Sequence, residues 1–65
     1  MEKLLHKGVK FTQNYMFEHG YINVCDYEND GNIIAEYAKT CAGVSVCNVC
    51  ITFNNKWRVV KVKKF

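Results

Sequence analysis

Three of the four cysteines lie within a stretch of ten residues, and this cluster constrains the possible folds more than any other feature of the sequence. The stretch, residues 41–50, ends in a pair of cysteines that are separated by two residues. Such a spacing lets a tight turn direct two thiolates at one metal ion, and a tetrahedral zinc site then needs two further ligands. The sequence therefore predicts a structural Zn²⁺ site with these ligands: Cys25, Cys41, Cys47 and Cys50.

The shortness of the chain explains why such a site would matter. A domain of 65 residues has little room for a core, because it buries only about 60% of the surface that its unfolded chain exposes. Hydrophobic residues still make up 49% of the sequence, which is too many for a disordered segment. Zinc binding stabilises small domains by on the order of 10 kcal/mol. We therefore expect a single domain over residues 1–65 whose fold depends on the metal ion.

Other interpretations of the cysteines remain open. Free cysteine is among the most buried residue types, so the thiols are alternatively inert parts of the core. Alternatively they form one or more disulfides, or His6 or His19 replaces one cysteine as a ligand. A thiol oxidoreductase is disfavoured, because its reactive cysteine lies at a helix N-terminus, whereas the pair here leads into a predicted strand.

The apolar segments of the sequence are too short for a secretion signal or a membrane span, which predicts the cellular compartment of the protein. Residues 1–7 contain the apolar pair Leu4 and Leu5, far short of the roughly 7–15 apolar residues of a secretion signal. The sequence contains no run of the ~20 apolar residues that a membrane span requires. We therefore expect a cytoplasmic protein with no membrane contact, in a compartment where thiols stay reduced.

Hydrophobic periodicity predicts a half-buried strand after Gly8, because one side of a period-two pattern is apolar. That side carries Val9, Phe11, Tyr15 and Phe17. A helix is the alternative, disfavoured by Gly8 and by the β-favouring residues. Its buried face would carry Leu5, Val9, Thr12 and Met16. The stretch 18–20 then predicts a tight turn, and residues 21–27 predict the returning strand of a hairpin.

Residues 28–32 are the strongest turn signal, and the segment after them, residues 33–41, is ambiguous between helix and strand. Helix is favoured because good helix formers follow a residue that can cap its start, and Gly43 is placed to end it. The possible caps are Asp30 and Asn32, and the helix formers are Ala35, Glu36, Ala38 and Lys39.

The C-terminal part predicts a second hairpin, in which Asn54-Asn55 is the loop between residues 49–53 and 56–65. Val60 and Val62 should then share a face with the apolar residues of the first strand. The elements together predict an α+β fold, a small zinc-stapled domain with two antiparallel β-hairpins and one short central helix. If residues 33–41 are a strand, the alternative is an all-β five-stranded meander.

Candidate partner-binding residues lie in an acidic turn and in a basic C-terminal strand. Both regions carry aromatic side chains, and tyrosine and tryptophan are enriched in protein interfaces. The residues selected for partner binding are Tyr21, Asp26, Tyr27, Glu28, Asp30, Trp57, Arg58, Lys61 and Lys63. The simpler interpretation is a solvated acidic loop and lysines that protect an edge strand from aggregation.

The net charge of +3 is too small to indicate nucleic-acid binding by itself. A zinc-ribbon-like nucleic-acid-binding module is nevertheless the alternative function, with bases stacking on Trp57 among basic residues. Those residues are Lys56, Arg58, Lys61, Lys63 and Lys64. We do not expect an enzyme, because the sequence contains no phosphate-binding glycine loop, nucleophile elbow or paired catalytic histidine and carboxylate.

A minute domain rich in Asn, Tyr and Lys, without a catalytic motif, resembles the small phage-encoded inhibitors of host defence. Within that group it is similar in size and composition to anti-CRISPR proteins that act on Cas9-type nucleases. The resemblance implies a monomer or small homo-oligomer in the host cytosol that blocks a host protein by occupying its surface. Many such inhibitors are acidic mimics of DNA, whereas this chain is basic. The implied action is therefore interference with guide loading, DNA loading or a domain movement.

The zinc hypothesis predicts about one Zn²⁺ per chain in protein purified under reducing conditions, as measured by elemental analysis. A chelator should unfold the protein, because metal binding and folding are coupled in such domains. Cys47→Ser and Cys50→Ser should each unfold it too, which far-UV circular dichroism would show. A well-folded, metal-free double variant would contradict the hypothesis.

Overall fold

The computed structural model describes residues 2–41 and 45–64, and the side chains of all of these except residues 41, 45 and 46. The described residues form a 3-10 turn, Glu2–Leu4, and one α-helix, α1 (Val9–Glu18). Four strands follow: β1 (Ile22–Asn29), β2 (Asn32–Cys41), β3 (Ser45–Phe53) and β4 (Val59–Lys64). They form an antiparallel sheet in the order β1-β2-β3-β4. The helix packs against one face of this sheet, here called the inner face.

The predicted α+β fold, with two hairpins around a central helix, is therefore wrong. The fold is mostly β, and its helix precedes the sheet. The five-stranded meander is wrong as well, because the segment assigned to its first strand is α1.

Residues 9–18 bury a helical face, which is why the predicted strand does not form. Thr12 and Met16 are fully buried and Val9 packs against the core, a spacing that only a helix brings together. Phe11 and Phe17, which the strand pattern placed on the buried side, are 45% and 81% exposed. The Thr12 hydroxyl donates to the carbonyl oxygen four residues earlier, at 2.9 Å. Burial thus overrides the β propensity of the local sequence.

The turn predicted at Gly20 is instead the end of α1. The amide of Gly20 donates to the carbonyl oxygen of Phe17 at 3.0 Å, and the amide of Tyr21 donates to that of Met16 at 2.9 Å. These bonds, with a φ of 83° at Gly20, are those of a Schellman cap. Because Met16 and Tyr21 both belong to the core, the cap turns the chain back onto the sheet.

A two-residue turn joins β1 to β2. Asp30 and Gly31 have φ values of 53° and 82°, as in a type I′ hairpin turn. The turn signal is confirmed, but the helix predicted over residues 33–41 is wrong, because this segment is β2 and pairs on both sides. Ile33, Ala35 and Tyr37 alternate onto the inner face. Their burial outweighs the helix propensity of the segment.

The second hairpin is confirmed, although residues 54–58 make its loop longer than predicted. The inner face carries Val49, Ile51, Phe53 and Val62. A register shift next to Phe53 turns Val59 inward instead of Val60. Val59 is fully buried, whereas Val60 is 42% exposed, so the inward position predicted for Val60 is wrong.

The inner face is closed at one edge of the sheet and open at the other. The amide of His6 donates to the carbonyl oxygen of Val59 at 2.8 Å, and the amide of Val59 donates to that of Lys7 at 2.9 Å. The N-terminal segment therefore runs beside the start of β4. All eight residues of β1 are exposed. The inner face of β1 is consequently uncovered, whereas Ala35 and Tyr37 of the neighbouring strand β2 are buried.

We expect Gly31→Ala to lower the free energy of unfolding by about 1–2 kcal/mol, because a Cβ atom is disfavoured at positive φ. Space is not limiting, since none of the described atoms beyond the adjoining residues lies within 4 Å of the position that a Cβ atom would occupy at Gly31. Gly31→Asn should be less destabilising, because asparagine tolerates this conformation. Urea unfolding followed by Trp57 fluorescence measures both variants. Equal losses would contradict a conformational cause.

Candidate binding groove

A groove of about 470 Å³ lies between α1 and the side of the sheet next to β1. Its floor consists of Ile33, Ala35 and Tyr37 of β2 and Phe53 of β3. Ligand sites in proteins commonly measure roughly 300–1,000 Å³ and are mostly apolar. The groove therefore has the size and character of a binding site.

One wall of the groove is a face of α1. Val9, Gln13 and Phe17 line it, and residues four apart follow one another along a helix. The three positions span about 12 Å at the helical rise per residue. Phe17, at the C-terminal end of this wall, is 81% exposed. A large aromatic ring is thus available to a second molecule.

Trp57 lies at the other end of the groove, where Arg58 forms a β-bridge with Gly8. Asn54 holds this loop: its Oδ1 accepts from the amides of Lys56 at 2.9 Å and Arg58 at 3.0 Å. Its carbonyl oxygen accepts from the amide of Trp57 at 2.9 Å. Trp57 has a φ of 61°, which is rare for a bulky residue. Such backbone conformations cluster at functional sites.

The open side of the groove carries two polar residues of β1. The register shifts at Val24, so Asn23 pairs with Tyr37 while Asp26 pairs with Ala35, and both lie on the inner face. Asn23 Nδ2 donates to Asp26 Oδ1 at 3.0 Å. The Asp26 carboxylate is therefore held in place and keeps further acceptor capacity.

The groove suits an apolar group that carries a positive charge. Burial, and then the Asp26 carboxylate, raise the pKa of Tyr37 above its ordinary value, so the floor stays neutral. Lys39 Nζ lies 4.6 Å from the ring centroid of Tyr21 and donates to the carbonyl oxygen of His19 at 3.2 Å. A cation thus already lies against one aromatic ring that lines the groove.

Three of the residues predicted to bind a partner line this groove: Tyr21, Asp26 and Trp57. Glu28 lies beside them on the inner face of β1, and Asp30 lies in the turn that follows. Tyr27, Lys61 and Lys63 lie on the opposite, outer face of the sheet, and Arg58 lies beside Gly8. The structure therefore does not gather the predicted set into one surface.

The helix wall was missed by the sequence reasoning. Val9, Gln13 and Phe17 recur every four residues, which was the available signal for one face of a helix. The strand prediction concealed it, because it placed Val9 and Phe17 in a buried row together with Phe11 and Tyr15.

The strand β3 separates the two cysteines of the Cys-x-x-Cys pair. Cys47 pairs with Lys39 and Cys50 with Glu36, and residues three apart along a strand point to opposite faces. Cys47 is disulfide-bonded, whereas Cys25 and Cys50 are free thiols. The side chain predicted as a ligand at residue 41 lies outside the described residues.

The zinc site stays a prediction, and it applies to a reduced chain. A sulfur in a disulfide is not a thiolate ligand, and Cys47 and Cys50 do not converge while β3 is intact. Within residues 2–41 and 45–64, no group of three histidine, cysteine or acidic side chains is arranged to hold a metal ion. Zinc binding would therefore require a different conformation of this segment.

Cys25, Glu36 and Cys50 form a row across β1, β2 and β3 on the outer face. The Cys25 thiol donates to Glu36 Oε2 at 3.7 Å. Partial shielding from water, and then the Glu36 carboxylate, raise the pKa of Cys25 above its ordinary value. The same causes raise the pKa of Cys50, against a smaller opposing effect of Lys63. Reactive thiols of oxidoreductases need the opposite shift.

No protein family, curated protein or solved structure shows a significant match to this chain. None of the described helical residues forms a segment that is long and apolar enough to cross a membrane. The function is therefore inferred from the geometry and chemistry of the chain itself.

We expect Glu36→Gln to lower the pKa of both free thiols, because it removes a negative charge that disfavours the thiolates. Alkylation of Cys25 and Cys50 by iodoacetamide at neutral pH should therefore become faster, as peptide mass spectrometry over a pH series would show. Glu28→Gln is the matched control, since it removes the same charge from the inner face. Identical alkylation profiles for Glu36→Gln and the unmodified protein would contradict this cause.

Proposed function

We propose that this protein is a non-catalytic protein-binding domain that contacts its partner through the groove. The observation that carries the proposal is the exposure of Phe17 and Trp57, 81% and 53%, at opposite ends of an apolar groove. Large exposed apolar patches on small proteins mark interaction sites. Aromatic side chains that become buried in an interface contribute much of its binding free energy.

The shape of the groove favours a segment of a larger molecule over a small ligand. Pockets for small molecules bury about 70–90% of the ligand surface. Here the occupant would contact the floor of β2 and the wall of α1, but the side along β1 is open, since every residue of β1 is exposed. A protein segment remains attached to its own domain on that side, so an open groove suits it.

Inhibition of a host nucleic-acid enzyme is the narrower proposal, and it is based on the resemblance in size and composition. A stoichiometric inhibitor needs a contact surface and no catalytic group, so the groove is compatible with this activity. A Cas9-type nuclease as the target stays a prediction, which a DNA-cleavage assay with the purified proteins would test. Zn²⁺ would have a structural role that is separate from partner binding.

The nucleic-acid-binding alternative lacks a comparable observation. Lys61 and Lys63 pair with Thr52 and Cys50, which places both lysines on the outer face. Trp57 lines the groove on the inner face. The aromatic ring and these positive charges thus lie on different faces, whereas single-stranded nucleic acid needs stacking and phosphate contacts along one path.

We expect benzoylphenylalanine in place of Phe17, irradiated in extracts of the cells that produce the protein, to give one discrete protein adduct. The reason is that this ring projects from the groove wall. Gel electrophoresis and mass spectrometry would identify the adduct. Trp57→Ser in the same chain should abolish it, because both aromatic rings would contact the same partner.

Replacement of Phe11 or Val60 by the same photoreactive residue is the matched control. Both side chains are exposed, at 45% and 42%, but neither lines the groove. Equal adducts from these control positions, or an adduct at position 17 that persists in Trp57→Ser, would contradict binding through the groove.

A further inference from the structure

The edge of β1 is available to another strand. Among the described strands, β1 pairs with β2 alone, and its eight residues are exposed. Its second edge therefore presents backbone N–H and C=O groups for which the described chain provides no strand. Such an edge is a template for the addition of a strand from another molecule.

The two edges of the sheet differ in charge. β4 carries three lysines, and lysines at an edge discourage pairing with another chain. β1 carries no basic residue. Asp26, Glu28 and Asp30, three of the six acidic residues of the protein, lie along β1 and its turn. The charge at this edge repels an acidic strand and attracts a basic one.

The register of β1 also defines the side-chain pattern of a matching strand. Asp26 and Glu28 lie on the inner face opposite Ala35 and Ile33, while Tyr27 lies on the outer face. An added strand alternates its side chains in the same way. Its inner-face residues would lie beside the two carboxylates, and its outer-face residues beside Tyr27. Basic residues that alternate with apolar ones fit this arrangement.

We propose that β1 binds an extended partner segment of alternating basic and apolar residues by strand addition. The basic side chains pair with Asp26 and Glu28, and their aliphatic stems extend over the groove towards Phe17. Backbone hydrogen bonds to β1 supply affinity, and the carboxylates supply the preference for a basic segment. This inference rests on the proposed function and specifies the kind of segment that the groove and its edge bind.

The probe is a fluorescent peptide of about ten residues, long enough for one strand, in which lysine and valine alternate. The matched control peptide alternates glutamate and valine. Fluorescence anisotropy at low ionic strength should show roughly tenfold tighter binding of the lysine peptide, since opposite charges across a strand pair stabilise and like charges destabilise it. Equal affinities would overturn the proposal.

Charge reversal tests the role of the carboxylates. Asp26→Lys/Glu28→Lys should invert the preference, so that the glutamate peptide binds more tightly, because both side chains are exposed on the inner face of β1. Lys61→Glu/Lys63→Glu, on the other edge, is the matched control and should leave the preference unchanged. A preference for the lysine peptide that persists in Asp26→Lys/Glu28→Lys would show that these carboxylates do not select the segment and would overturn the proposal.

Hydrogen exchange measured by NMR tests strand addition itself. Binding of the lysine peptide should slow the exchange of alternate amides within residues 25–29, because successive amides of a strand face its two edges. Binding without this protection would overturn strand addition. Concentration-dependent oligomers in sedimentation, lost in Lys61→Glu/Lys63→Glu, would also overturn it, because the occupant of the edge would then be β4 of a second copy.

Phe17→Ser separates this inference from the proposed function. If it weakens peptide binding while the amides of β1 remain unprotected, the groove binds its partner without strand addition, and only this inference fails. If the peptide protects β1 but the photoreactive residue at position 17 gives no groove-dependent adduct, the edge binds strands and the proposed function fails.

Discussion

The burial of the inner face of β2 and β3 under α1 is the interaction on which the rest of the structure depends. Ile51 is fully buried on the central strand β3, paired with Ala35 on one side and Val62 on the other. Met16 brings α1 into the same cluster, and full burial of each such side chain contributes roughly 1.5–3 kcal/mol. One short helix cannot cover four strands. The groove and the exposed strand β1 therefore follow from the packing of one helix against four strands.

The turns could be predicted from the sequence, whereas two of the elements between them could not. The Asp30-Gly31 turn and the positive φ of Gly20 follow from local conformational preferences, which act within a few residues. The segment of α1 was predicted to be a strand and that of β2 a helix, because local propensity and burial favour different conformations in both segments. The α1 segment is rich in β-favouring residues, and β2 contains good helix formers. Pairing between distant strands and burial against them decided both cases.

The residues of the candidate site could likewise be predicted from the sequence only in part. Trp57 and Asp26 were found from residue type and position, since exposed aromatic and charged residues near turns stand out in a sequence. Phe17 was assigned to the core, and only the helical geometry of its segment places it on the groove wall. The cysteine cluster dominated the sequence interpretation, yet β3 directs Cys47 and Cys50 to opposite faces. Spacing predicts a metal site only where the backbone between the ligands turns.

The bulge at Val24 determines the chemistry of the groove's open side. β1 contains one residue more than its pairing with β2 requires, and the bulge absorbs it between Asn23 and Cys25. In a regular strand of the same sequence, Val24 would face the groove and Asn23 would face away from it. The carboxylate of Asp26 would then lose the amide that orients it. The bulge therefore decides whether a polar or an apolar side chain faces this open side of the groove, although the sequence of the strand is the same in both cases.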